Sequence, residues 1–138
     1  DHVRHATRFK TTRSHTETLD PATQMSEFRR HVSTMDVVTG SVHAITENGE
    51  AVIASASGSQ LASYVFGADT VIWVVGAQKV VPDLDAAFDR IERHSLPLES
   101  ERLQAAYGMP SSLNKELVIH RERPGRIHVL LLPDAIGF

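Results

Sequence analysis

The sequence predicts an α/β fold, a mixed sheet flanked by helices, on three observations. Strand–helix–strand–helix alternation from Ala51 to Ile91 is the signature of a βαβ unit with parallel strands. Thr70-Val71-Ile72-Trp73-Val74-Val75-Gly76 is a continuous apolar run rich in β-branched residues, as expected of a central strand covered on both faces. Glu47-Asn48-Gly49-Glu50 joins two short apolar runs, and Asn-Gly tolerates the positive φ of a type I′ hairpin turn, adding an antiparallel element.

The remaining elements follow in chain order. Between Asp1 and Arg13 stand Arg4, Arg8, Lys10 and Arg13 with little apolar content, so residues 1–20 read as an extended arm or linker. Asp20-Pro21 signals a helix start, with Asp as N-cap and Pro at the first helical position; Met25, Phe28 and Val32 then recur at helical spacing. Residues 35–39, 41–46 and 51–54 are strand-like. Ser55-Ala56-Ser57-Gly58-Ser59 leads into a helix bearing Leu61, Tyr64 and Val65, which Gly67 ends. Pro82-Asp83-Leu84-Asp85 opens the next helix, buried along Leu84, Ala87, Phe88 and Ile91, with Arg90, Arg93 and His94 complementing the dipole at its end. Residues 96–107 predict a further helix and 111–115 a loop or short helical turn. Residues 117–120 and 127–132 predict strands flanking the turn Arg123-Pro124-Gly125-Arg126.

The 138 residues suit one domain with a real core. A net charge of −3 offers no basic field for nucleic acid, and no apolar run approaches the ~18 residues of a membrane span. With no cysteine, the chain has no disulfide, thiolate nucleophile or cysteine-held iron–sulfur or zinc site, which suits a cytoplasmic protein. Among the eight histidines, His2, His5, His15 and His31 have no carboxylate in matching register, and His43 and His128 fall within strands. The expectation is no metal site, with the histidines as pH-sensitive spectators of ordinary pKa.

Several segments resemble one family. Thr46-Glu47-Asn48-Gly49 with the strand before it is similar to an "N-A-I-T-E-D-G" hairpin, and residues 66–81 to the strand pattern "fGpk-xVIvVvGxNKIV". Gly108-Met109-Pro110-Ser111-Ser112-Leu113-Asn114-Lys115 and Pro124-Gly125-Arg126-Ile127-His128-Val129-Leu130-Leu131 complete the set. These motifs resemble the LUD domain of proteins of bacterial L-lactate utilisation, over residues 35–138. The resemblance implies one LUD-type domain with a mixed, mostly parallel Rossmann-like sheet, as in the sugar-phosphate isomerase and CoA-transferase superfamily, and an early strand and helices preceding Asp1. It also implies a component of L-lactate oxidation to pyruvate beside iron–sulfur partner subunits, with no cofactor in this chain itself. Gln78 stands where many members have Asn, and Ser57-Gly58-Ser59-Gln60 replaces a "G-N-R" pattern, removing an arginine that would hold an anion.

Four segments carry candidate chemistry. Thr46-Glu47-Asn48-Gly49 is similar to the Ser-Glu-Asn-Gly motif of class I CoA transferases, whose glutamate forms an acyl-CoA anhydride; Glu47 is the candidate nucleophile of a transferase-like enzyme, although the same residues also make an ordinary solvated turn. Gly58 and Ser59 lie between a strand and a helix, where a small anion can approach backbone or where serine merely caps. Gln78 and Lys79 follow the apolar strand at its C-terminal end, where α/β sheets place ligands. Ser111, Ser112, Asn114 and Lys115 are expected to close the same cleft from the far side. Three readings stay open: a lactate-utilisation component, a transferase-like enzyme, and a small-anion sensor. A homo-oligomer also stays open.

Overall fold

The computed structural model describes residues 11–20 and 22–138. The first ten residues of the expected arm, and Pro21 of the expected helix start, lie outside the described residues. Within the rest of that arm, α1 (Thr12–Thr16) is a single helical turn opened by a hydrogen bond from Ser14 Oγ to the Thr11 carbonyl, 2.7 Å. Asp20 caps a turn and not the helix: its carboxylate accepts from the Ala22 N–H (2.9 Å) and Thr23 Oγ1 (2.8 Å). The helix proper, α2, spans Met25–Ser33.

Among the described residues, seven strands form two sheets. β1 (Met35–Gly40), β4 (Ala68–Gly76) and β7 (Ile127–Leu132) make a parallel sheet in the order β1-β4-β7. β5 (Val80–Val81), β2 (Ala44–Thr46), β3 (Ala51–Ser55) and β6 (Lys115–Ile119) make a second, in the order β5-β2-β3-β6. β2 and β5 are parallel, while β2–β3 and β3–β6 are antiparallel. The strand content is therefore mixed and mostly parallel, as predicted for a Rossmann-like α/β protein. The pairing of β3 with β4 as a βαβ unit does not occur. The helix between them, α3 (Ser59–Ala62) running into a π-helical turn at Ser63–Gly67, carries the chain from one sheet to the other. Hydrophobic periodicity names a strand and its faces but not its partner.

Two cores account for the layering. Val71, Trp73 and Val75 of β4 point between the sheets, against Ala51 and Ile53 of β3 with Val42 and Tyr64. Ala44, Val52 and Ala54 face the opposite way, onto Ala87 and Ile91 of the long helix. β3 is thus buried on both faces and is the inner strand of the domain. β7 is an edge strand whose Val129, Leu130, Leu131 and Leu132 stay exposed.

The two helices expected between residues 82 and 107 are one continuous helix. α4 (Leu84–Arg90) passes through a π-helical turn (Ile91–Ser95) into α5 (Leu96–Tyr107). Pro97 gives a physical reason for the widened turn: it has no N–H to donate and its ring crowds the preceding turn. Asp83 caps the start, accepting from the Ala86 N–H at 2.8 Å. Gly108, at φ 74, ends the helix with an N–H to the Gln104 carbonyl at 3.0 Å.

The hairpin turn also differs from expectation. Gly49 N–H bonds the Thr46 carbonyl at 2.8 Å, and Gly49 alone has positive φ (88°); Asn48 does not. That excludes type I′ and describes a longer loop with glycine in the left-handed position.

Arg126 fastens the sheet's rim. Its guanidinium donates to the carbonyls of Ala68 (2.9 Å), Val65 (3.0 Å) and Tyr64, and pairs with Glu122 at 2.8 Å. Arg126→Ala is expected to cost about 2 kcal/mol, since charged hydrogen bonds to part-buried carbonyls are lost together. Urea unfolding midpoints of the two proteins measure it; an unchanged midpoint would show that water replaces these bonds at no cost.

Candidate functional site

Antiparallel pairing places the N-terminal end of β2 beside the C-terminal end of β3. At that end a cleft of about 280 Å³ opens, lined by His43, by Ser55, Ser57 and Gln60 after β3, and by Ile91, Ser95 and Glu99 of the long helix. Ser111, Ser112 and Leu113 close one wall, and Phe138 another.

His43 is the polar centre. Its Nδ1 accepts from the Ala54 N–H at 3.1 Å, so the neutral ring carries its proton on Nε2. Burial first, then the charges of Lys79 and Arg90, push its pKa down from 6.5 to about 4, against the opposing pull of Glu99. At neutral pH the cleft therefore holds an uncharged imidazole. Glu99 is spoken for by Arg102, whose guanidinium donates to both carboxylate oxygens at 2.6 and 2.7 Å and holds its pKa below the usual range.

Behind His43 lie two cations. Lys79 is only 5% exposed, and its ammonium donates to Ser41 Oγ (3.2 Å) and the Val42 carbonyl (3.1 Å). Burial and the neighbouring Arg90 lower its pKa. Arg90 donates to the His43 carbonyl (3.1 Å) and Ser95 Oγ (2.8 Å). Among the described residues, neither cation has a carboxylate within ion-pair distance.

The predicted segments are distributed unequally around this cleft. Ser111 and Ser112 line it. Gly58, Ser59, Asn114 and Lys115 shape the serine loop: Gly58 N–H bonds Ser55 Oγ at 2.9 Å, Ser57 and Ser59 share a 3.1 Å hydroxyl contact, and Asn114 and Lys115 both donate to the Ala56 carbonyl. Gly58 needs its glycine, since it stands at φ 83 and a Cβ there would meet the Lys115 stem at 2.8 Å. Gln78 turns to the C-terminal tail, donating to the carbonyls of Ile136 (3.0 Å) and Gly137 (3.3 Å), which brings Phe138 to the cleft. Lys79 is buried behind His43 and not displayed at a strand end.

Thr46, Glu47, Asn48 and Gly49 are not brought together with the others. They occupy the opposite end of β2 from His43, because the hairpin that contains them runs antiparallel. Glu47 is exposed there, and the side-chain contact of this turn is made by Glu50, whose N–H donates to Thr46 Oγ1 (3.0 Å) and whose carboxylate meets His120 Nδ1 at 2.6 Å. The four segments therefore do not form one cleft. His43, Arg90, Ser95 and Glu99 were absent from the sequence-based site. The expectation of an ordinary pKa for His43 is corrected by its burial beside two cations.

The LUD domain family model matches residues 2–132. The chain belongs to the LUD domain family. No curated protein and no solved structure matches it. In this LUD domain no helix among the described residues is long and apolar enough to cross a membrane. The motifs that carry the family resemblance are spread over the domain: the 66–81 strand segment runs from the inter-sheet core to the tail contact at Gln78, and the 108–115 segment closes the cleft.

Proposed function

We propose that this LUD domain is a cytoplasmic component of L-lactate utilisation, the oxidation of L-lactate to pyruvate, acting beside iron–sulfur partner subunits, and that its His43 cleft takes a small carboxylate. Family membership supports the first part. These 138 residues hold no cysteine, so no thiolate-held cluster sits on them. The observation that carries the second part is the pair Lys79 and Arg90, two cations beside the cleft bonded only to neutral oxygens. A buried cation without a counter-charge favours an incoming anion. Neutral His43 offers Nε2–H as an uncharged donor, and Ser111 and Ser112 offer hydroxyls.

Thermal unfolding of tag-free protein with lactate, pyruvate, phosphate and acyl-CoAs tests the cleft. A ligand at ~100 times its dissociation constant raises stability by about 2.7 kcal/mol, several degrees for a domain this size. Lys79→Met is expected to abolish the shift, and Glu47→Gln to leave it intact. A shift with acyl-CoA that is lost in Glu47→Gln would instead favour the transferase-like reading. The partner claim has its own test: deletion of the gene should impair growth on L-lactate, and affinity capture should return an iron–sulfur protein. Normal growth together with an empty capture would sink it.

A further inference from the structure

A second cluster lies away from the cleft, where α1 meets α2. Glu27 and His31 stand one turn apart on α2, and His15 reaches them from α1. Glu27 is a carboxylate in register that the expectation of no metal site overlooked: its i,i+4 spacing to His31 stands in the sequence, whereas the approach of His15 is made across two helices. Glu27 Oε1 lies 3.5 Å from His15 Nε2 and 3.9 Å from His31 Nε2. All three candidate ligand atoms fall within 4.8 Å of one another, and the two imidazoles meet edge to face with centroids 4.3 Å apart.

We infer that His15, Glu27 and His31 form a binding site for one divalent transition-metal ion of the zinc class, which locks α1 onto α2. Metal–ligand bonds of 2.0–2.2 Å in a tetrahedron hold their donor atoms about 3.4 Å apart. Two of the three edges are already close to that, and the third closes by rotation of side chains that are 40–49% exposed. Two imidazoles and one carboxylate select zinc, nickel, cobalt or copper over calcium and magnesium, which prefer all-oxygen shells. Three protein ligands leave the fourth position to water on the solvent side.

The test uses tag-free full chain, stripped with a chelator and dialysed, titrated calorimetrically with Zn²⁺ and followed with Co²⁺ by visible absorption. One ion per chain is expected, with an intense tetrahedral Co²⁺ spectrum and a raised melting temperature. Glu27→Gln and His31→Ala should each weaken binding at least tenfold, and His94→Ala, on the distant helix, should not. Failure to saturate at one ion per chain overturns the proposal. So does one-ion binding that survives Glu27→Gln and His31→Ala together but is lost in His2→Ala/His5→Ala. Circular dichroism of the metal-free variants checks that their helices are intact, so weakened binding reports the ligands and not unfolding.

Discussion

Acidification from pH 7 towards pH 4 should remove about 3 kcal/mol of stability through His43 alone. The ring's pKa is about 4 in the fold, against 6.5 for an unperturbed histidine. Between those two values the unfolded chain binds a proton that the folded chain refuses, so stability rises with pH across that window and is fully present above it. Each pH unit of difference is worth 1.36 kcal/mol, hence about 3 kcal/mol in total. His43→Asn keeps an acceptor for the Ala54 N–H but cannot titrate. Its stability should fall less steeply on acidification than that of the parent. Glu99 and Glu122, both held below their usual range by arginine or backbone hydrogen bonds, add acid sensitivity of their own in either protein. The comparison of the two proteins by urea unfolding at pH 7 and pH 4.5 isolates the histidine. Parallel losses in both would show that His43 is not the group responsible.

Removing the indole of Trp73 is the largest single loss expected in the core. Trp73 is 2% exposed between the two sheets and meets Tyr64 edge to face, centroids 5.4 Å apart. Trp73→Ala should cost about 3–5 kcal/mol, the sum of lost transfer energy and the cavity left between sheets that cannot collapse fully. Trp73→Phe should cost distinctly less. It keeps an aromatic partner for Tyr64, and it deletes an indole N–H that is buried without an acceptor among the described residues. Thermal or urea unfolding of the three proteins decides it. Equal losses for Ala and Phe would mean that indole shape, not buried area, holds the sheets together.

What could be read in the sequence was what depends on near neighbours. β4 was legible because residues 70–76 are apolar without interruption, and β7 because Ile127 to Leu132 follow a Pro-Gly turn. The division into two sheets was not, since β3 and β4 read the same whether they pair or pass between sheets. The separate helix expected from Leu96 does not exist, because the chain accommodates the N–H that Pro97 lacks by widening one turn and running on. For the site, the serine loop and Ser111–Ser112 were visible as small polar residues at element ends. His43 was hidden by its place beside a strand, between the buried Val42 and Ala44, and its two cations come from 36 and 47 positions away in the chain. Glu47 drew notice through its motif, yet the antiparallel hairpin sets it at the far end from the cleft.

The tail contact at Gln78 has a practical consequence for anyone making this protein. Gln78 holds the carbonyls of Ile136 and Gly137, so the chain leaves its last strand, crosses the end of β4 and delivers Phe138 to the cleft wall. Residues fused after position 138 begin their path there. A tag or fluorescent protein attached directly to Phe138 would start at the mouth of the cavity and compete with whatever enters it.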